Sequence, residues 1–249
     1  MSALPRWTLA SAFARSFLIQ GSWNYRTMLG SGFAFAMLPA LRHLAKGNPS
    51  ELEASIRRHM EHFNAHPYLS NVALGAVLRL EADGEDAEAV RRFKTAVRGP
   101  LGGLGDALVW ASWLPAVSLA ALTLYWLGAP GWLSVLAFLT VYNVGHVGLR
   151  AWGFRAGLAE GRGVGRSLSA AALGAWTERL RALAGLLLGT MVGAILGGEG
   201  GLGDAGPLWG ALAAAAFLGG SVVGHRLWRP TAVAVVATVA VLATWGWAT

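Results

Sequence analysis

The chain has 249 residues, 55% hydrophobic and only 13% charged, with a mean hydropathy of +0.48. Soluble domains carry about a quarter charged residues, so this balance makes lipid part of the solvent. The net charge of +7 sits on arginines beside apolar runs rather than on a solvated patch, which excludes nucleic-acid binding, and the lack of cysteine excludes disulfides, thiolate metal sites and a catalytic thiol.

The N-terminal stretch has basic but no acidic residues, and the apolar run after it is broken by Gln20, Asn24 and Arg26. That is not the pattern of a cleaved signal peptide. Ser16–Leu41 is rich in aromatic and small residues, as expected of an interfacial or re-entrant segment. Pro49–Phe63 is patterned as a charged amphipathic helix, with Ser50 as N-cap and His66-Pro67 as its end. Tyr68–Leu80 is a short apolar element, and Glu81–Arg98 is expected to be a solvated, charged helix or loop.

From residue 107 the chain becomes apolar blocks cut by short loops. Ala107–Leu127 has no charge and ends at Gly128-Ala129-Pro130-Gly131; it is long enough to cross a bilayer. Gly131–Leu149, Ala182–Gly197, Leu208–Val223 and Thr231–Trp247 are expected as further spans. Arg150–Arg181 and Gly224–Pro230 are basic, whereas Gly128–Gly131 is uncharged and Gly197–Pro207 carries only acids. The positive-inside rule then puts the basic connections in the cytoplasm. The expected fold class is an all-α integral membrane protein: residues 1–106 form a cytoplasmic or interfacial region of amphipathic and re-entrant helices, and 107–249 a transmembrane bundle of about five spans.

Few motifs suggest chemistry. His59, His62 and His66 share helical spacing, but no carboxylate completes a metal set. Gly161-x-Gly163-x-Gly165 lacks the strand and Lys-Ser/Thr of a phosphate loop, and Ser221 with His225 lacks an oriented base. Gly102-Gly-Leu-Gly-Asp106 recurs at Gly200–Asp204, and its first copy is expected to be an irregular turn with a carboxylate at membrane depth. Asn143, His146 and Arg150 fall on one helical face. They line either a polar path or a helix–helix hydrogen bond, with the arginine at the membrane boundary.

Four segments in order resemble the mannose-type IID membrane component of the bacterial sugar phosphotransferase system. They are Arg15-Ser-Phe-Leu-Ile-Gln-Gly-Ser-Trp-Asn-Tyr25, continuing through Met28 and Gly32-Phe33 to Pro39; His62-Phe-Asn-Ala-His-Pro-Tyr68; Gly99-Pro-Leu-Gly-Gly-Leu-Gly-Asp106 with Trp110 and Pro115; and Tyr142-Asn143 followed by Arg150 and Gly153–Gly161. The resemblance implies a multi-pass protein of the bacterial inner membrane that pairs with a IIC subunit to translocate a hexose or related sugar. Soluble IIA/IIB carriers would hold the phosphohistidines, so this chain would be no enzyme, would need no cofactor or metal, and would not use His59, His62 or His66 to carry phosphoryl groups. The expected substrate-path residues are Gln20, Ser22, Trp23, Asn24, Arg26, Asp106, Asn143 and His146. Arg26 stands where the resemblance leads one to expect a glutamate, which keeps open a non-transporting scaffold or regulatory subunit of the same family.

Overall fold

The computed structural model describes residues 4–197, and these residues form helices joined by turns. In order they are α1 (Arg6–Ser16), α2 (Gly30–Leu44), α3 (Pro49–His59), α4 (Ser70–Ala82), α5 (Ala87–Gly105), a π-helical stretch (Asp106–Trp113), α6 (Leu114–Trp126), α7 (Gly131–Glu160), a 3-10 turn (Gly161–Val164), α8 (Gly165–Ala170) and α9 (Leu173–Gly197). The expected spans at Leu208–Val223 and Thr231–Trp247, the Gly200–Asp204 repeat, and Ser221 with His225 lie outside the described residues. The chain divides into two compact units. One comprises Met1–Val109 with Asn143–Gly174, and the other takes up Trp110–Tyr142 and the chain from Ala175.

In the first unit α4 is the core. Val72 to Leu78 are buried without a break, so a single helix is enclosed on all sides. Phe33, Met37 and Leu41 of α2 supply one wall, with the Phe33 and Phe63 ring centroids 4.8 Å apart. The C-terminal half of α7 supplies another and approaches α4 very closely. A Cβ on Gly157 would stand 2.3 Å from the Val72 carbonyl oxygen and 2.5 Å from the Ala76 nitrogen. Only glycine permits that approach, the small-residue packing apolar helices use where no hydrophobic effect pulls them together.

Two boundaries differ from the sequence expectation. Asn48, not Ser50, caps α3: its Oδ1 accepts the Ser50 and Glu51 N–H groups at 3.2 and 3.3 Å. The helix ends at His59, well before His66-Pro67. Beyond it Phe63 exchanges backbone hydrogen bonds with the 27–29 turn, donating to Thr27 O at 3.2 Å and accepting from Leu29 N at 2.9 Å. Buried Lys94 of α5 donates to the Arg58 and His59 carbonyls, each at 3.3 Å, and so satisfies the last turn of α3. Glu81–Arg98 is mostly the charged, solvent-facing helix expected, but it is anchored inward at three points: Glu81 forms an ion pair at the end of α4, and α5 buries Val90 and Lys94.

Gly99–Asp106 is not an irregular turn. It is helical through Gly105, with Pro100 inside the helix, and the hydrogen-bond ladder widens to π only from Asp106 to Trp113. Pro115 follows at once; it has no N–H to donate, and its ring crowds the preceding turn.

The largest correction concerns Arg150. The Gly131–Leu149 span does not give way there to a basic loop but continues as helix to Glu160. Arg150 is buried and bonded within that helix. In the second unit the breaker after Ala107–Leu127 stands as expected: α6 closes at Trp126, Gly128 takes φ +94°, and α7 opens at Gly131. Leu122, Leu133, Val135, Leu136 and Leu139 are exposed, with Tyr125, Trp126 and Trp132 clustered at the turn. Apolar walls ending in exposed aromatics are what a helix shows to hydrocarbon and headgroups. Among the described residues, Ala87–Trp126 and Gly131–Met191 are long and apolar enough to cross a membrane.

Candidate functional site

The turn between α1 and α2 is built by Asn24. Its Oδ1 accepts from the Arg26 and Thr27 N–H groups at 3.1 and 3.0 Å, while its Nδ2 donates to Ser22 O at 3.1 Å and Thr27 Oγ1 at 2.8 Å. Ser22 shares a 2.7 Å hydroxyl contact with Ser31, whose Oγ also donates to Ser22 O at 2.8 Å. These bonds let the chain reverse with Met28 at φ +54°. Asn24 and Ser22 are therefore occupied in holding the turn. Trp23 and Tyr25 pack edge to face at 4.8 Å, and Arg26 points to the surface.

The turn forms one side of a recess of about 160 Å³ lined by Gln20, Trp23, Leu29, Asn64–Pro67, Gly102 and Asp106. Three expected path residues, Gln20, Trp23 and Asp106, thus meet across 86 positions of sequence (106 − 20). Asn64 and His66 join them, and sequence reasoning had not placed either on the path. The hint was the His62–Tyr68 run of the family resemblance; His66 was otherwise weighed only as a metal ligand and as the end of a helix. The loop can lie against α5 because position 105 is glycine; a Cβ there would sit 2.1 Å from the His66 Cβ. Two amides, an imidazole, a carboxylate and an indole around one recess offer donors, acceptors and a flat apolar face, the chemistry that hydroxyl-rich ligands use.

Behind the recess runs a ladder of rings. His66 Nδ1 accepts the Tyr68 N–H at 3.2 Å, and the two rings meet edge to face at 4.9 Å. Tyr68 stacks on His146 at 4.0 Å. Arg150 closes the ladder: Nε donates to His146 Nε2 at 2.7 Å, a terminal nitrogen donates to Ser16 O at 2.8 Å, and the guanidinium lies 5.0 Å over Tyr68 and 4.9 Å over Phe17. His146 and Arg150 do share a face, as their spacing predicts; Asn143, one turn earlier, is exposed. Burial and the neighbouring Arg150 hold the His66 pKa down to about 4, so its ring is neutral.

The other two histidines have separate surroundings. His59 is wholly buried, its Nε2 2.9 Å from Glu81 Oε1, and burial lowers its pKa to about 4. The neutral ring therefore donates to the carboxylate. Burial works against the Glu81 anion, but the hydrogen bonds from His59 and Arg58 outweigh it and hold the pKa below the usual range. His62 Nδ1 lies 3.1 Å from an Arg98 guanidinium nitrogen. Among the described residues no three metal-ligating side chains converge.

The sequence profile described as "PTS system mannose/fructose/sorbose family IID component" matches residues 3–198. The mannose-specific EIID component of Escherichia coli (strain K12) is 31% identical over 189 residues, covering 74% of this chain. The chain spans 66% of that relative's length, just under two thirds. The fructose permease IID component of Bacillus subtilis (strain 168) is 25% identical, with 76% of this chain and 70% of that protein covered. Among solved structures, a cryo-EM structure of the mannose transporter ManYZ in complex with microcin E492 matches with a TM-score of 0.61 and 31% identity, covering 78% of this chain and 72% of that one. The all-α architecture and the exposed apolar helices accord with these relatives, and the chain is a membrane protein. It belongs to the mannose/fructose/sorbose family of phosphotransferase-system IID components.

Proposed function

We propose that the chain is the IID subunit of a sugar phosphotransferase transport complex in the bacterial inner membrane. With a IIC-type subunit it forms the translocation unit for a hexose or related sugar, and soluble IIA/IIB carriers phosphorylate the sugar as it emerges. Family membership supports the transport role. The observation that carries the site is the recess in which Gln20, Trp23, Asn64, His66 and Asp106 meet. In this reading the recess borders the sugar path, with Asp106 and the amides serving hydroxyl groups and Trp23 an apolar ring face. Asn143 and His146 lie beside the path, and Ser22 and Asn24 act through the turn they hold. Arg26 tunes the field at its mouth. The chain itself transfers no phosphoryl group, a view supported by the burial of His59 and His66, which closes both rings to a phosphoryl donor.

The likeness to a chain of the mannose transporter ManYZ supports a membrane partner subunit. Co-expression with a IIC-type subunit carrying the only affinity tag tests the partnership. Recovery of the untagged chain in a stable stoichiometric complex after detergent exchange is expected. Recovery of the tagged subunit alone, with this chain folded and monodisperse by itself, would overturn the partnership.

A further inference from the structure

We propose that the groove between α1 and α2 binds the headgroup of an anionic phospholipid, a role separate from sugar transport. The groove has about 340 Å³ of free space and is lined by Trp7, Ser11 and Arg15 of α1 and Pro39, Arg42 and His43 of α2. Its charge has one sign. The first 50 residues contain no aspartate or glutamate, and among the described residues neither Arg15 nor Arg42 is ion-paired. The next acids along the chain are Glu51 and Glu53 of α3, and Glu53 is paired with Arg57 at 2.6 Å.

Arg15 is held against the groove wall, its guanidinium 4.7 Å over the Phe35 ring and 3.5 Å from the Phe35 carbonyl oxygen. Those contacts orient the fork without neutralising it. Arg42 is exposed on the facing helix. Two cations on opposite walls, with the Ser11 hydroxyl on the α1 side, match a phosphodiester anion that accepts several hydrogen bonds at once. Trp7 decides between a lipid and a free anion. It is 65% exposed at the groove, and a flat indole with one N–H suits the layer between headgroup and acyl chain. A free phosphate would leave that apolar face unused. In a membrane protein the headgroup is also the anion present at the highest local concentration.

The test uses the chain co-purified in detergent with its IIC-type subunit, equilibrated with equimolar phosphatidylglycerol and phosphatidylcholine, with the lipids retained by the complex counted by native mass spectrometry. Each arginine near an anionic surface contributes about fivefold in affinity, so the wild type is expected to favour phosphatidylglycerol clearly. Arg42→Gln should reduce that preference about fivefold and Arg42→Lys should restore it. Arg57→Gln, outside the groove, should leave it intact. Millimolar inorganic phosphate should not displace the lipid. Equal retention of the two lipids, an unchanged preference in both Arg42→Gln and the Arg15→Gln/Arg42→Gln double variant, or displacement by inorganic phosphate would each overturn the proposal.

Discussion

Replacing Glu81 by alanine isolates the polar network that ties α3 to α4 and α5. The Glu81 carboxylate receives Arg58 through contacts of 2.7, 3.0 and 3.2 Å and His59 through one of 2.9 Å. The side chains are nearly closed to solvent, at 12% for Arg58, 10% for Glu81 and none for His59. Glu81→Ala therefore leaves a guanidinium and an imidazole facing each other in a dry site with no anion. Removing one member of a buried pair costs about 3–5 kcal/mol, and the residual exposure of Arg58 places this case near about 3 kcal/mol. At about 2–4 °C per kcal/mol for a chain of this size, the apparent Tm should fall by about 6–12 °C. The double variant Arg58→Met/Glu81→Leu removes both charges and should lose less than Glu81→Ala alone. Thermal unfolding in detergent, followed by circular dichroism, reads both variants. A Tm for Glu81→Ala within about a degree of wild type, or a double variant worse than the two single changes combined, would refute the reasoning.

Three further outcomes are expected. His59 has a folded pKa of about 4 against 6.5 when solvated, so the unfolded chain binds the extra proton between those values. The His59 share of stability should be present above pH 6.5 and fall by about 3 kcal/mol as the pH drops to 4, with His66 adding to the decline in the same direction and His59→Gln showing a smaller one; a flat Tm across that window in wild type would contradict the buried neutral ring. Gly157→Ala forces a methyl to within 2.3 Å of the Val72 carbonyl oxygen and should cost about 1–3 kcal/mol of stability by the same thermal assay. Gly148→Ala on the same helix meets nothing within 4 Å and should be neutral or slightly stabilising. Asp106→Asn should lower sugar uptake at least about tenfold while co-purification with the IIC-type subunit is unchanged; unaltered uptake would leave Asp106 as an exposed charge at the start of the π-helical stretch.

What the sequence disclosed depended on whether a residue's fate was decided by its neighbours in the chain. Ala107–Leu127 and the break at Gly128–Gly131 were legible because an uninterrupted apolar run and a Gly/Pro turn are local signals. That the helix runs on through Arg150 to Glu160 was not legible, because Arg150 is held by Ser16, 134 residues earlier, and by the rings of Phe17 and Tyr68. Within the charged Glu81–Arg98 stretch the inward anchors were not legible for the same reason: Glu81 is answered by Arg58, and Lys94 by carbonyls 35 and 36 residues earlier. The end of α3 was placed at the nearest proline, whereas the backbone pairing of Phe63 with the 27–29 turn draws the chain out of the helix sooner. At the candidate site Gln20, Trp23 and Asp106 could be picked out as polar or aromatic residues in apolar surroundings. Their meeting with Asn64 and His66 could not, since it depends on the loop packing against Gly105 of α5.

Uptake by whole cells puts the transport role to its most direct test. A bacterial strain lacking its own mannose-family membrane subunits is given IIA, IIB and IIC genes with or without this chain and supplied with a panel of radiolabelled hexoses, including acidic and N-acylated ones. Intracellular sugar phosphate should accumulate for at least one sugar only when the chain is present, and Asp106→Asn should depress it. Accumulation that does not depend on the chain, or none for any sugar while the complex assembles intact, would contradict a transport role and favour a scaffold.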